Sequence, residues 1–164
     1  MRDQEIQILL VEDNPHDVKL ALHAFRTHNL VNHVHVVRDG AEALEFIFGT
    51  GRYAGRDIAD GPKLILLDLK LPLIDGIEVL RRIKSDQQTF HTPVVVMTSS
   101  NEERDMVESY RLGVNSYIRK PVDFNQFTEA VRQLGHYWLL LNEIPPARPL
   151  AADTASIAAC AATV

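Results

Sequence analysis

The chain has 164 residues, 46% of them hydrophobic and 24% charged, which suits one globular domain with a tail. A formal charge of -5 argues against nucleic-acid binding driven by phosphate neutralisation, which needs a basic face. One cysteine, Cys160, excludes an intrachain disulfide; with no secretory h-region and no apolar run long enough for a bilayer, a cytoplasmic location away from membranes is expected.

The first apolar run, Ile6 to Val11, reads as a strand and closes on Glu12 and Asp13. Asn14 can cap a helix that begins at Pro15, where a missing N–H costs nothing. Val18, Ala21, Leu22 and Phe25 then recur at helical spacing. Val34 to Val37 is the second strand, and Asp39 caps a helix carrying Ala41, Leu44, Ile47 and Phe48. His33 and His35 share one side of that strand and could bind metal, although a half-exposed edge strand accounts for them better. Residues 49 to 62 form a long loop. Its segment Gly49 to Ala54 matches G-x-G-x-x-A but follows a helix rather than a strand, so a dinucleotide reading fails on context.

Leu64 to Leu67 and Val94 to Met97 show no polar alternation, as central parallel strands buried on both faces require. Asp68 closes the first of these. Asp75 caps a helix with Val79, Leu80 and Ile83. Thr98 closes the next strand, Asn101 is placed to cap the fourth helix, and Gly113 to stop it. Ser116 to Ile118 is the fifth strand, with Lys120 just beyond it, and Asp123 caps a last helix reaching about Asn142. After Pro145 and Pro146 the composition turns Ala-rich. A domain over 1–144 and a loosely structured tail over 145–164 are expected. Five strand–helix repeats predict a doubly wound α/β fold.

In such a sheet, ligands sit at the carboxyl ends of the strands, beside the point where strand order reverses. With the order 2-1-3-4-5, Glu12, Asp13 and Asp68 converge on one crevice. Two unit charges ~4 Å apart repel by about 4 kcal/mol at an effective dielectric of ~20, so the cluster needs a cation or a shared proton. Hard oxygen ligands with open positions favour Mg²⁺. Thr98 can donate to a phosphoryl oxygen, and the Lys120 ammonium suits phosphate or carboxylate.

The segments ILLVEDN at 8–14, LILLDLKLP at 64–72, IDG at 74–76, PVVVMTSS at 93–100 and YIRKP at 117–121 together resemble the receiver domain of two-component response regulators. The resemblance implies a five-stranded parallel sheet of order 2-1-3-4-5, with Asp68 as the phospho-acceptor. It implies Asp13 and the Lys70 carbonyl as Mg²⁺ ligands, Glu12 acting through water, and Thr98 and Lys120 binding the phosphoryl group. Tyr117 becomes the aromatic that follows Thr98, and the Lys120–Pro121 peptide is expected to be cis. The loop over 51–72 and the segment HYWLLLNEIPP are similar to the small phytochrome-associated response regulators, which implies a histidine kinase of the bacteriophytochrome type as partner.

The last helix carries Phe124, Phe127, Val131, Leu134, Trp138 and Leu141 on one face, while Tyr137, Leu139 and Leu140 widen the apolar surface. Excess apolar surface marks an interface, and the resemblance implies a homodimer through the fourth helix, fifth strand and fifth helix. About twenty residues follow Asn142, too few for an effector domain, so output is expected through binding. Two alternatives stand beside the switch: a Mg²⁺-dependent phosphatase, and a degenerate receiver that only docks. The phosphatase would need a second acid two residues beyond the nucleophile, where Lys70 stands.

Overall fold

A computed structural model describes residues 6–30 and 33–145. The tail expected over 145–164, Pro145 excepted, and Cys160 lie outside the described residues. Five strands, β1 (Ile8–Val11), β2 (Val34–Val37), β3 (Leu64–Leu67), β4 (Val94–Thr98) and β5 (Ser116–Arg119), form one parallel sheet in the order β2-β1-β3-β4-β5. They alternate with helices α1 (Pro15–Thr27), α2 (Gly40–Phe48), α3 (Gly76–Ser85), α4 (Glu103–Arg111) and α5 (Phe124–His136).

The continuous apolar strands serve two layers. Leu9, Val11, Ile65 and Leu67 face the layer that holds Val79, Leu80 and Ile83 of α3. Ile8, Leu10, Leu64 and Leu66 face the opposite layer, with Phe25 of α1 and Val131 and Leu134 of α5. Successive side chains of a strand point to opposite faces, so a run apolar at every position fits only a sheet covered on both sides.

Four helix starts follow the sequence. Asn14 accepts the His16 N–H, Asp39 that of Glu42, Asp75 that of Glu78 and Asp123 that of Gln126. The fourth departs from expectation: the cap of α4 is Glu102, not Asn101, and its side chain makes no capping bond. Gly113 has φ 96°, as a left-handed stop after α4 demands. Gly76 is fixed by crowding, since a Cβ there would lie 2.3 Å from the backbone oxygen of Asp68. That contact seats α3 directly against the strand end carrying Asp68.

The end of the last helix also differs. After α5 the chain continues as a π-helical turn over Tyr137–Leu141. A π turn closes on i+5, so the next buried large apolar side chain after Leu134 is Leu139, while Leu141 is exposed. The loop after α2 is not featureless: it contains short 3₁₀ turns at Gly51–Tyr53 and Ile58–Asp60. Gly49 there is the left-handed cap of α2, and Arg52 pairs with Glu45 at 3.2 Å, so the glycine pattern serves a helix end.

Candidate functional site

The ladder hydrogen bonds run one residue past the strands and set the site residues at one level. The Glu12 N–H donates to Val37 O at 3.1 Å, Asp68 N–H to Val11 O at 3.0 Å, and Lys120 N–H to Thr98 O at 2.8 Å. Each of these residues is the last one held by the sheet, so its side chain is aimed by a fixed backbone. Glu12, Asp68 and Thr98 are buried, and Asp13 is exposed. One carboxylate oxygen from each of Glu12, Asp13 and Asp68 lies within 4.8 Å of the others. The sheet therefore gathers the three acids the sequence placed at two strand ends.

Lys120 crosses this cluster. Its Nζ donates to Asp68 Oδ2 at 2.7 Å, Glu12 Oε2 at 2.6 Å and Asp17 Oδ2 at 2.8 Å, which uses all three ammonium protons. Asp17 is absent from the sequence prediction. It sits in the first turn of α1, where an acid ordinarily complements the helix dipole, and only the approach of β5 to α1 shows its second partner. Asp68 Oδ1 accepts the Lys70 N–H at 3.2 Å, and Glu12 Oε1 accepts the Asn14 N–H at 3.1 Å.

Four carboxylates around one ammonium leave surplus negative charge. Burial, reinforced by the Asp68 carboxylate, pushes Glu12 up to about 7 against the opposing pull of Lys120. Burial would lower Lys120, but its bonds to Asp17, Asp68 and Glu12 outweigh that and hold it above the usual lysine range. An unfilled demand for positive charge fits a hard divalent cation: these oxygens are its preferred donors, and the exposed Asp13 side leaves open positions.

On the far side of Asp68, the Lys70 side chain reaches away from the acids to Glu102 and Asp105, each at 3.7 Å. Tyr117 packs partly buried against the α3 layer, and its buried hydroxyl has no hydrogen-bond partner among the described residues. Burial raises its pKa, as do Asp105 and Asp68. The Lys120–Pro121 bond is trans, as is every peptide bond among the described residues, so the expected cis bond is not found. A prolyl amide prefers trans by only ~0.5–1 kcal/mol, so residue type alone does not decide its isomer. The ring of His35 is engaged in packing and hydrogen bonding: it stacks on Phe46 at 4.5 Å, and its Nε2 lies 3.0 Å from the Tyr53 hydroxyl, which donates to Glu42.

A doubly wound receiver sheet, with an acid cluster at the C-terminal ends of β1 and β3 and a lysine reaching in from beyond β5, defines the class. Residues 8–132 match the response regulator receiver domain, and the chain belongs to that family. The likeness narrows further. Response regulator Rcp1 of Synechocystis is 37% identical over 85% of this chain and 93% of its own length. A solved Mn²⁺-bound form of Rcp1 superposes with a TM-score of 0.77, over 84% of this chain and 97% of that one. The phosphorylated cyanobacterial phytochrome response regulator RcpA is 40% identical, with a TM-score of 0.79 over 87% of this chain and 99% of that one. The bacteriophytochrome response regulator AtBRR is 50% identical, with a TM-score of 0.65 over 85% of this chain and 99% of that one. Among the described residues no helix is long and apolar enough to cross a membrane.

Proposed function

We propose that residues 1–144 act as a phosphorylation switch in which Asp68 takes a phosphoryl group from a histidine kinase of the bacteriophytochrome type. The observation that carries this reading is the meeting of Glu12, Asp13 and Asp68 within 4.8 Å, with Lys120 hydrogen-bonded to Asp68. The partner follows from the likeness to regulators named for phytochromes.

Asp68 is the nucleophile: a carboxylate oxygen bonds to phosphorus while the bond from phosphorus to the donor's ring nitrogen breaks. Phosphoryl transfer needs positioning and charge compensation more than covalent help. Asp13, Asp68 and the Lys70 carbonyl would hold Mg²⁺, with Glu12 acting through water. When bound, the ion would supply positive charge that offsets the repulsion between the acids and the incoming phosphoryl group. Lys120 gives up a carboxylate contact for a phosphoryl oxygen, keeping Asp17 as its anchor. Thr98 donates its hydroxyl proton to another phosphoryl oxygen. Tyr117 follows Thr98: its unpartnered hydroxyl marks a side chain that gains a hydrogen bond when the loops rearrange. Coupling of this kind changes partner affinity about 5- to 150-fold.

The product is a stable adduct rather than turnover, because Lys70 stands where a phosphatase would need its acid and is turned toward Glu102 and Asp105. A docking role without phosphorylation would leave the complete set of pocket residues unexplained. The output surface is the face of α4, β5 and α5, where a second copy of the chain docks. Support comes from exposed Val107 and Tyr110 on α4 and from exposed Tyr137, Leu140 and Leu141 after α5. We place the protein in the cytoplasm, where its kinase would act.

Incubation with acetyl phosphate tests the reading by intact mass. The wild type gains one phosphoryl group with Mg²⁺ and none with excess chelator. An adduct that forms equally well without divalent ions would refute the metal-dependent mechanism. Sedimentation at micromolar concentration before and after phosphorylation tests the dimer, which a monomer in both states would contradict.

A further inference from the structure

The ammonium that bridges the buried acids also has a partner outside them. Asp17 stands at the third position of α1, after the Asn14 cap and Pro15, with its neighbour Val18 buried in the core beneath. The start of the helix is thereby fixed, and the Asp17 carboxylate meets Lys120 Nζ at 2.8 Å. The Lys120 side chain is 9% exposed and that of Asp17 21%, so water and salt screen this pair far less than a surface one. Asp17 is not one of the three acids whose oxygens meet within 4.8 Å. It binds the lysine without belonging to the cation cluster. Inside the cluster each oxygen of the two buried acids already has a donor. Asp68 Oδ2 and Glu12 Oε2 accept from Lys120, Asp68 Oδ1 from the Lys70 N–H and Glu12 Oε1 from the Asn14 N–H. A divalent ion entering there competes with the ammonium for the same oxygens.

We propose that Asp17 is a positioning residue that sets the affinity of the acid cluster for its divalent cation, by drawing the Lys120 ammonium toward α1 and so releasing Asp68 and Glu12 to the ion. The inference rests on the metal-dependent reading above. Two cations held at contact distance on the oxygens of Glu12 and Asp68 repel each other. One of them must yield. The lysine yields readily only where a carboxylate remains to hold it, because a buried ammonium left without a partner is strongly disfavoured. Asp17 is that carboxylate. Without its charge, Lys120 has only Glu12 and Asp68 as anionic hydrogen-bond partners and stays on them, against the ion. The step exchanges one cation for another on carboxylate oxygens and forms no covalent bond.

Calorimetric titration of the unphosphorylated full chain with Mg²⁺ alone reads this affinity without any phosphoryl transfer. Asp17→Asn keeps the shape of the side chain and removes its charge. Asn14 still caps α1 in that variant, so its urea midpoint should stay close to that of the wild type. Asp17→Asn should bind Mg²⁺ about ten-fold more weakly, the scale of one charge-assisted hydrogen bond reduced to a neutral one. Asp17→Glu keeps the charge and should recover most of that loss. Lys120→Met removes the competing cation and should bind Mg²⁺ more tightly than the wild type. Adding Asp17→Asn to Lys120→Met should then change the affinity less than about two-fold. A structural role for Asp17, or a direct attraction between Asp17 and the ion, would act whether or not the lysine is present and would not give that response. Equal affinity for Asp17→Asn and the wild type, or equal weakening in the two backgrounds, would overturn the proposal. A wild type that binds no Mg²⁺ would overturn the metal-dependent reading beneath it as well.

Discussion

Two partly buried lysines stand at opposite ends of the sheet, and the contrast between them separates the working end from the scaffold. Lys120, at the C-terminal end, gives its three protons to three carboxylates. Lys84, at the other end, gives its own to the backbone oxygens of Phe90 and Thr92 and to Asn115 Oδ1, at 2.8–3.0 Å. Both ammonium groups are fully hydrogen-bonded, but only one is paid in charge. Lys120 is held above the usual lysine range, whereas burial pushes Lys84 down to about 8. Satisfying donors makes structure; oversupplying acceptors with charge makes a site that calls for further cations.

That contrast can be broken most strongly at the charged end. Asp68→Asn should abolish the phosphoryl adduct while leaving the thermal midpoint near or above that of the wild type, since it relieves repulsion in the cluster. Lys120→Met should slow phosphorylation about 100-fold, the usual cost of removing one donor from a developing anion; a loss under threefold would place Lys120 outside the chemistry. Single-turnover labelling reads both.

At the neutral end the loss should be in stability alone. Lys84→Met leaves three oxygens without their donor, one of them on Asn115, which also accepts the Val94 N–H. Urea unfolding should show about 1–3 kcal/mol of destabilisation with unchanged phosphorylation. The pH dependence has a definite sign. The folded value is about 8 against the usual 10.5, so between them the unfolded chain binds the proton more tightly, and the lysine's contribution favours folding increasingly as pH rises through that window.

His35 should give the smallest effect. Burial, the largest influence, lowers its pKa from the usual 6.5 despite the opposing Glu42 carboxylate, so folding favours the neutral ring. Acidification below about 6.5 protonates the unfolded chain first and costs stability. His35→Gln should lose less stability than the wild type between pH 7.5 and pH 5.5 in urea titrations; an equal loss would assign the acid sensitivity to other groups.

Much of the working end was legible in sequence because Glu12, Asp68 and Thr98 each close an apolar run. Glu12 follows Val11 and Asp68 follows Leu67, so strand ends and chemistry were read from one pattern. What was not legible depends on contacts between distant segments. Asp17 reads as an ordinary first-turn acid until Lys120 arrives beside it, 103 residues later in the chain. Lys84 reads as a solvated helix residue until the ends of β4 and β5 close over it. Asp105 reads as a dipole acid until Lys70 and Ser100 meet on it. The exchange of Leu139 for Leu141 as the buried residue required a π turn, and no 3.6-residue periodicity contains one.

The most direct test of the charge-surplus account locates the phosphoryl group chemically. Borohydride reduces an acyl phosphate to the alcohol and so converts a phosphorylated aspartate to homoserine. After treatment with acetyl phosphate and Mg²⁺, peptide mapping should find homoserine at position 68 and at no other acid. Homoserine at position 13 or 17, or none anywhere despite a phosphoryl mass gain, would contradict it.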